Sequence, residues 1–232
     1  SLYVGHLFTV EHWTFIHYHT KFGGKHMKIS PTLTEVKEIA KTGKYDILPV
    51  SCEILSDFIT PIEAMRILQN VSTHCYLLES AQANEAWGRY TFLGYNPKLE
   101  INCIDGHMKL GKLSVETENP SEYIRQILSE YKSPKFDYLP SFTGGLVGYF
   151  SYDYLGYKEK SIRGKARDTE DFKDVDLMLF DKVIAFDNLC QKIILIANMS
   201  LDAPETGYNK AIVELKQLRE LLMRREKTEY GW

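Results

Sequence analysis

Residues 75–106, CYLLESAQANEAWGRYTFLGYNPKLEINCIDG, decide the fold of this chain. Tyr76, Leu77 and Leu78 form a short apolar run that stops at Glu79 and Ser80. A loop leads to a second strand-like run at residues 89–93, rich in basic, aromatic and β-branched side chains and broken by Gly94. Leu99, Ile101 and Cys103 then alternate with polar or charged neighbours, and Asp105-Gly106 is a hairpin turn signal ahead of Met108 and Leu110. Period-two alternation with tight turns argues adjacent antiparallel strands. The polar groups fall where strands end, which is where mixed folds build small-molecule sites. Periodicity alone fits a meander with an ordinary solvated loop as well.

On the N-terminal side, Thr32 is placed to cap a helix with Glu35 as the capping-box residue; Leu33, Val36, Ile39 and Ala40 form its apolar stripe and Gly43 ends it. Residues 45–50 read as a short strand, and Pro49, which has no N–H to give a ladder, predicts a sheet edge. Thr60-Pro61-Ile62-Glu63 combines a cap, a first-turn proline and a capping-box glutamate, with Ile62, Met65 and Leu68 as the buried face. Asp57 just ahead of it is read as a turn-closing residue.

On the C-terminal side, Asn119-Pro120 opens a helix whose Ile124, Ile127, Leu128 and Tyr131 are expected to face inward. Gly144, Gly145 and Gly148 lack the order of a phosphate-binding loop and predict close approach of two backbones instead. Between residues 156 and 173, Arg163, Lys165 and Arg167 are offset by Asp168, Glu170 and Asp171, the pattern of a solvated loop rather than of a phosphate site. Residues 177–180 lead to a hairpin, residues 183–186 and 193–197, across Asp187-Asn188. Asp202, Pro204 and Glu205 announce a last helix with Ile212, Leu215, Leu218 and Leu222 on one face, and Arg224-Arg225 suit its C-terminal end.

Hairpins without a β-α-β rhythm, and helices set between strand groups, predict an α+β fold: a layered, mostly antiparallel two-sheet sandwich with flanking helices. A chain of 232 residues with 44% hydrophobic content can bury a sizeable core. A net charge of -3 predicts no strong attraction to nucleic acid or anionic membrane. Cys52, Cys75, Cys103 and Cys190 are scattered, without metal-ligand spacing, and read as free thiols in a reducing compartment. His6, His12, His17, His19 and His26 crowd into residues 1–26. His17 and His19 would share a strand face, but no carboxylate or cysteine accompanies them as a metal ligand. The segment 1–26 is expected to be either an expression-derived leader or an extension, with Met27 as the natural start; the body is expected to span 27–225, and 226–232 to be a cut linker.

At Leu77-Leu78-Glu79-Ser80-Ala81 and Gly88-Arg89-Tyr90-Thr91-Phe92-Leu93-Gly94 the chain resembles the N-terminal domain of anthranilate synthase component I. The resemblance starts near Met27 and runs to about Leu222. It takes in Tyr45-Asp46-Ile47-Leu48-Pro49-Val50, Asp57 with Thr60-Pro61, the run from Phe142 to Asp153, and Asp181 with Ala185-Phe186-Asp187-Asn188. It implies the regulatory and scaffold part of a cytoplasmic lyase subunit that converts chorismate and ammonia to anthranilate and pyruvate under tryptophan feedback. It also implies a glutamine amidotransferase partner as the ammonia source. The chorismate site, the acid/base residues and the Mg2+ ligands would lie in a C-terminal half outside this chain, so the chain by itself is expected to be inactive. The effector L-tryptophan would meet Leu78, Glu79, Ser80 and Arg89. For Glu79 the structural alternative is an ion pair with Arg89, and for Ser80 a hydroxyl bonded to its own backbone. The alternatives of function are the equivalent half of the aminodeoxychorismate synthase large subunit and a freestanding amino-acid-binding module.

Overall fold

The computed structural model describes residues 27–79, 88–158 and 172–224, together with the backbone of 7–10 and 13–16. In chain order the elements are β1 (Leu7–Val10), β2 (Trp13–Ile16), β3 (Ile29–Ser30), α1 (Leu33–Lys41), β4 (Ile47–Leu55), α2 (Pro61–Gln69), β5 (Cys75–Glu79), β6 (Tyr90–Tyr95) and β7 (Leu99–Ile104). There follow β8 (His107–Leu110), β9 (Leu113–Glu116), α3 (Pro120–Ser129), β10 (Gly145–Phe150), a 3-10 turn (Tyr152–Tyr157), β11 (Val175–Phe180), β12 (Lys182–Asp187), β13 (Lys192–Ser200) and α4 (Pro204–Met223). The strands β1 and β2 form a hairpin of their own within the expected leader. The histidines of that segment, the charged loop from 159 to 171 and the tail from 225 lie outside the described residues.

Two antiparallel sheets with flanking helices make up the body, as the turn signals predict. One has six strands in the order β3-β4-β13-β12-β6-β5, the other five in the order β10-β11-β7-β8-β9. The chain passes between them twice, through Asp181 from β11 to β12 and through residues 96–98 from β6 to β7. The turn at Asp105-Gly106 has φ of 50° and 86°, the two positive values a tight hairpin turn needs.

Both capping boxes form: Thr32 with Glu35 starts α1, and Thr60 with Glu63 starts α2. Helices α1, α2 and α4 cover one face of the six-stranded sheet, where Val36, Leu68, Leu195, Leu215 and Leu218 are buried in one cluster. The opposite face buries Val183, Ala185, Ile194 and Ile196 beside Phe136, Leu139 and Phe142. The five-stranded sheet packs Ile101, Cys103, Met108, Val175 and Leu177 against Ile124 of α3. All four cysteines are free, and Cys52 and Cys103 are buried in strands.

Three expectations need correction. Strand β4 is not an edge strand: it lies between β3 and β13. Pro49 is tolerated because it lies opposite Asn198, whose N–H points away to the Asp181 carbonyl at 2.8 Å, while β3 reaches only Ser51 and Cys52. Ile62 is exposed, since α2 turns Ala64 and Leu68 inward. Leu128 is likewise exposed, with Ile124 the buried residue of α3. The glycine reading holds at Gly148, where φ is 153° and an added Cβ would sit 1.9 Å from the Asp176 carbonyl oxygen of β11.

Candidate functional site

Among the described residues, strand β5 is the edge of the six-stranded sheet and pairs with β6, with Leu77 opposite Leu93, Leu78 opposite Phe92 and Glu79 opposite Thr91. Directly opposed residues share a face. Leu78 therefore lies on the face that carries Tyr90 and Phe92, and it is exposed. Leu77 packs instead into the helix-side core with Leu93, and Glu79 shares that side with Thr91. Leu78 and Glu79 thus leave the strand on opposite faces and meet only around its end.

Polar groups from three strands gather at that end. The fully buried Thr91 hydroxyl donates to Glu79 Oε1 at 3.4 Å and accepts from Asn188 Nδ2 at 3.4 Å. Arg89, just before β6, donates from Nε to Asp187 Oδ1 at 3.1 Å and from Nη2 to Asp187 Oδ2 at 2.7 Å. The Arg89 ion pair among the described residues is therefore with Asp187 and not with Glu79. Its guanidinium also stands 4.9 Å from the Tyr90 ring centroid, and Nη2 lies 3.4 Å from Cys190 Sγ. The Asp187 carboxylate accepts in addition from the N–H groups of Leu189 and Cys190, at 3.2 and 3.0 Å.

Burial pushes the Asp187 carboxyl up, but hydrogen bonds from Arg89 and the Cys190 N–H outweigh it and bring its pKa down to about 2. The same Asp187 bond raises Arg89, which stays a cation. Next to this pair, Lys192 Nζ is held by Glu53 at 2.6 Å. The sheet end therefore carries a fixed cation beside an apolar aromatic face and, on the opposite face, an exposed carboxylate.

Of the four residues expected to hold the effector, the structure brings Glu79 and Arg89 to one sheet end and puts Leu78 on the aromatic face; Ser80 lies outside the described residues. Thr91 and Asn188 carry no local sequence signal that marks them for the site, and Asp187 reads in the sequence as a turn residue. No group of three or more His, Cys, Asp or Glu side chains able to hold a metal ion occurs among the described residues. Nor is any described helix long and apolar enough to cross a membrane.

No family model matches the chain. Among curated proteins, anthranilate synthase component 1 of Acetivibrio thermocellus is 35% identical over 204 residues, 85% of this chain and 40% of that protein. Anthranilate synthase component 1 of Pseudomonas aeruginosa is 36% identical over 186 residues, 77% of this chain and 37% of that protein. Anthranilate synthase alpha subunit 2, chloroplastic, of Oryza sativa subsp. japonica is 34% identical over 183 residues, 71% of this chain and 30% of that protein. The chain spans 40% or less of the length of these relatives. A crystal structure of anthranilate synthase component I from Streptococcus pneumoniae TIGR4 superimposes with a TM-score of 0.47 at 26% identity, over 72% of this chain and 36% of that one.

Proposed function

We propose, for a chain that matches the N-terminal domain of the anthranilate synthase component I family across many relatives, that it is the tryptophan-binding regulatory and scaffold part of such a subunit. The observation that carries this reading is the placement of the Asp187-held Arg89 and the exposed Leu78 on the aromatic face of the six-stranded sheet, at the same sheet end where Glu79 leaves the opposite face. Tryptophan brings an ammonium, a carboxylate and an indole. Glu79 supplies the acceptor for the first and Arg89 the donor for the second. Leu78, Tyr90 and Phe92 offer a wall for the third, and the Ser80 hydroxyl adds a donor next to Glu79.

The complete subunit, on this reading, makes anthranilate and pyruvate from chorismate and ammonia in the cytoplasm, with ammonia delivered by a glutamine amidotransferase subunit. Its acid/base groups and the Mg2+ that neutralises the substrate carboxylates belong to the C-terminal part. That part would rest on the uncovered surface around edge strand β10, where Tyr149, Phe150, Tyr152, Leu155 and Phe172 are exposed. This chain alone is then a regulatory body without turnover. Supplied with chorismate, Mg2+ and ammonia, it is expected to form no anthranilate; turnover that disappears on mutating a residue of this chain would overturn the assignment.

A further inference from the structure

We infer that Asp187 is a positioning residue for the effector site, holding the Arg89 guanidinium in one orientation so that its Nη1 edge receives a ligand carboxylate. The inference rests on the amino-acid-binding reading above and adds to it a residue and a division of labour within the site. Asp187 is suited to the task because its surroundings hold it on several sides. Its side chain is fully buried, the backbone N–H groups of Leu189 and Cys190 grip Oδ1, and its own backbone is registered against Tyr90 on one side and Lys192 on the other.

The contact also fixes Arg89 more closely than a point charge would. Nε and Nη2 are both used by the two carboxylate oxygens, Nη2 additionally meets Cys190 Sγ, and the guanidinium lies over the Tyr90 ring. Nη1 has no partner among the described residues, and the Arg89 side chain keeps 34% exposure. What remains is one pre-aimed pair of N–H donors on a cation. An arginine free to swing would lose rotamer entropy on meeting a ligand, and the fork has already taken that loss during folding.

Charge counting alone makes the opposite prediction to positioning. Removing the Asp187 anion should strengthen carboxylate binding if only net charge mattered, and weaken it if Asp187 aims the fork. The experiment is an NMR titration of this chain with L-tryptophan and with L-tryptophanamide, which lacks the carboxylate. The acid-to-amide affinity ratio within one variant cancels any loss of folded fraction.

Wild type is expected to prefer the acid by about tenfold or more, the worth of one charge-assisted hydrogen bond. In Asp187→Asn the preference should fall to about twofold or less. Arg89→Lys keeps the charge without the fork and should also fall, which decides the matter should the Asp187 variant not fold. A ratio unchanged or raised in Asp187→Asn, or kept at the wild-type value in Arg89→Lys, overturns the positioning role while leaving tryptophan binding in place. Absence of any shift with either ligand in wild type overturns the amino-acid-binding reading itself, and the inference with it.

Discussion

Asp187 ties stability to pH through a carboxyl whose pKa lies near 2 in the folded chain, against an ordinary value of 3.8. A depressed carboxyl pKa contributes stability that is complete above the unfolded value and drains away as pH falls through the folded one. The window is therefore pH 4 to 2, and the full contribution is about 2 kcal/mol. By pH 3, about 1 kcal/mol of it should be gone. Urea unfolding at pH 5 and pH 3 should show wild type losing more stability than Asp187→Asn by that amount; equal losses would contradict the linkage. At this scale the sequence was least legible. Glu79 and Arg89 could be named from a motif, but the partner of Arg89 lies 98 positions away, and nothing local in Ala185-Phe186-Asp187-Asn188 reveals it. Burial of a carboxylate is acceptable only with its donors assembled, and that assembly exists only after β6 and β12 pair.

The helix starts were legible because a capping box is a local interaction within four residues, and both form as the sequence predicts. Pro49, Ile62 and Leu128 were not. The reach of β3, and the closeness with which α2 and α3 approach their sheets, are set by residues far along the chain. At α2 the small Ala64 takes the buried position that a pattern weighted to bulky side chains gives to Ile62. The β10–β11 pairing supplies the sharpest test at this scale. Gly148→Ala would drive a methyl into the Asp176 carbonyl at 1.9 Å from a backbone with φ of 153°. It should cost about 3 kcal/mol or more in urea unfolding. A cost below about 1 kcal/mol would show that β10 does not lie against β11 in this register.

For the whole molecule, the fold class was readable from the Asp105-Gly106 and Asp187-Asn188 turns, since each joins neighbouring antiparallel strands. The division of the strands between two sheets was not, because pairings such as β7 with β11 and β4 with β13 join distant segments. Strand β13 is a case in point. Its Ile193, Ile194, Leu195 and Ile196 are all buried, because both faces of the six-stranded sheet are covered, and period-two alternation vanishes there. The same central position of β12 and β13 fixes the turn that carries Asp187 behind Arg89, so the proposed effector site would stand at the end of a well-supported sheet.

The central claim, a tryptophan-responsive half of an anthranilate-forming subunit, is tested most directly by joining this chain to a C-terminal part of the family and assaying anthranilate with and without tryptophan. The account predicts anthranilate formation that tryptophan inhibits, with the inhibitory concentration raised about tenfold or more in Ser80→Ala by loss of one hydrogen bond to a charged ligand. Anthranilate formation indifferent to tryptophan, or inhibition identical in wild type and Ser80→Ala, would contradict it.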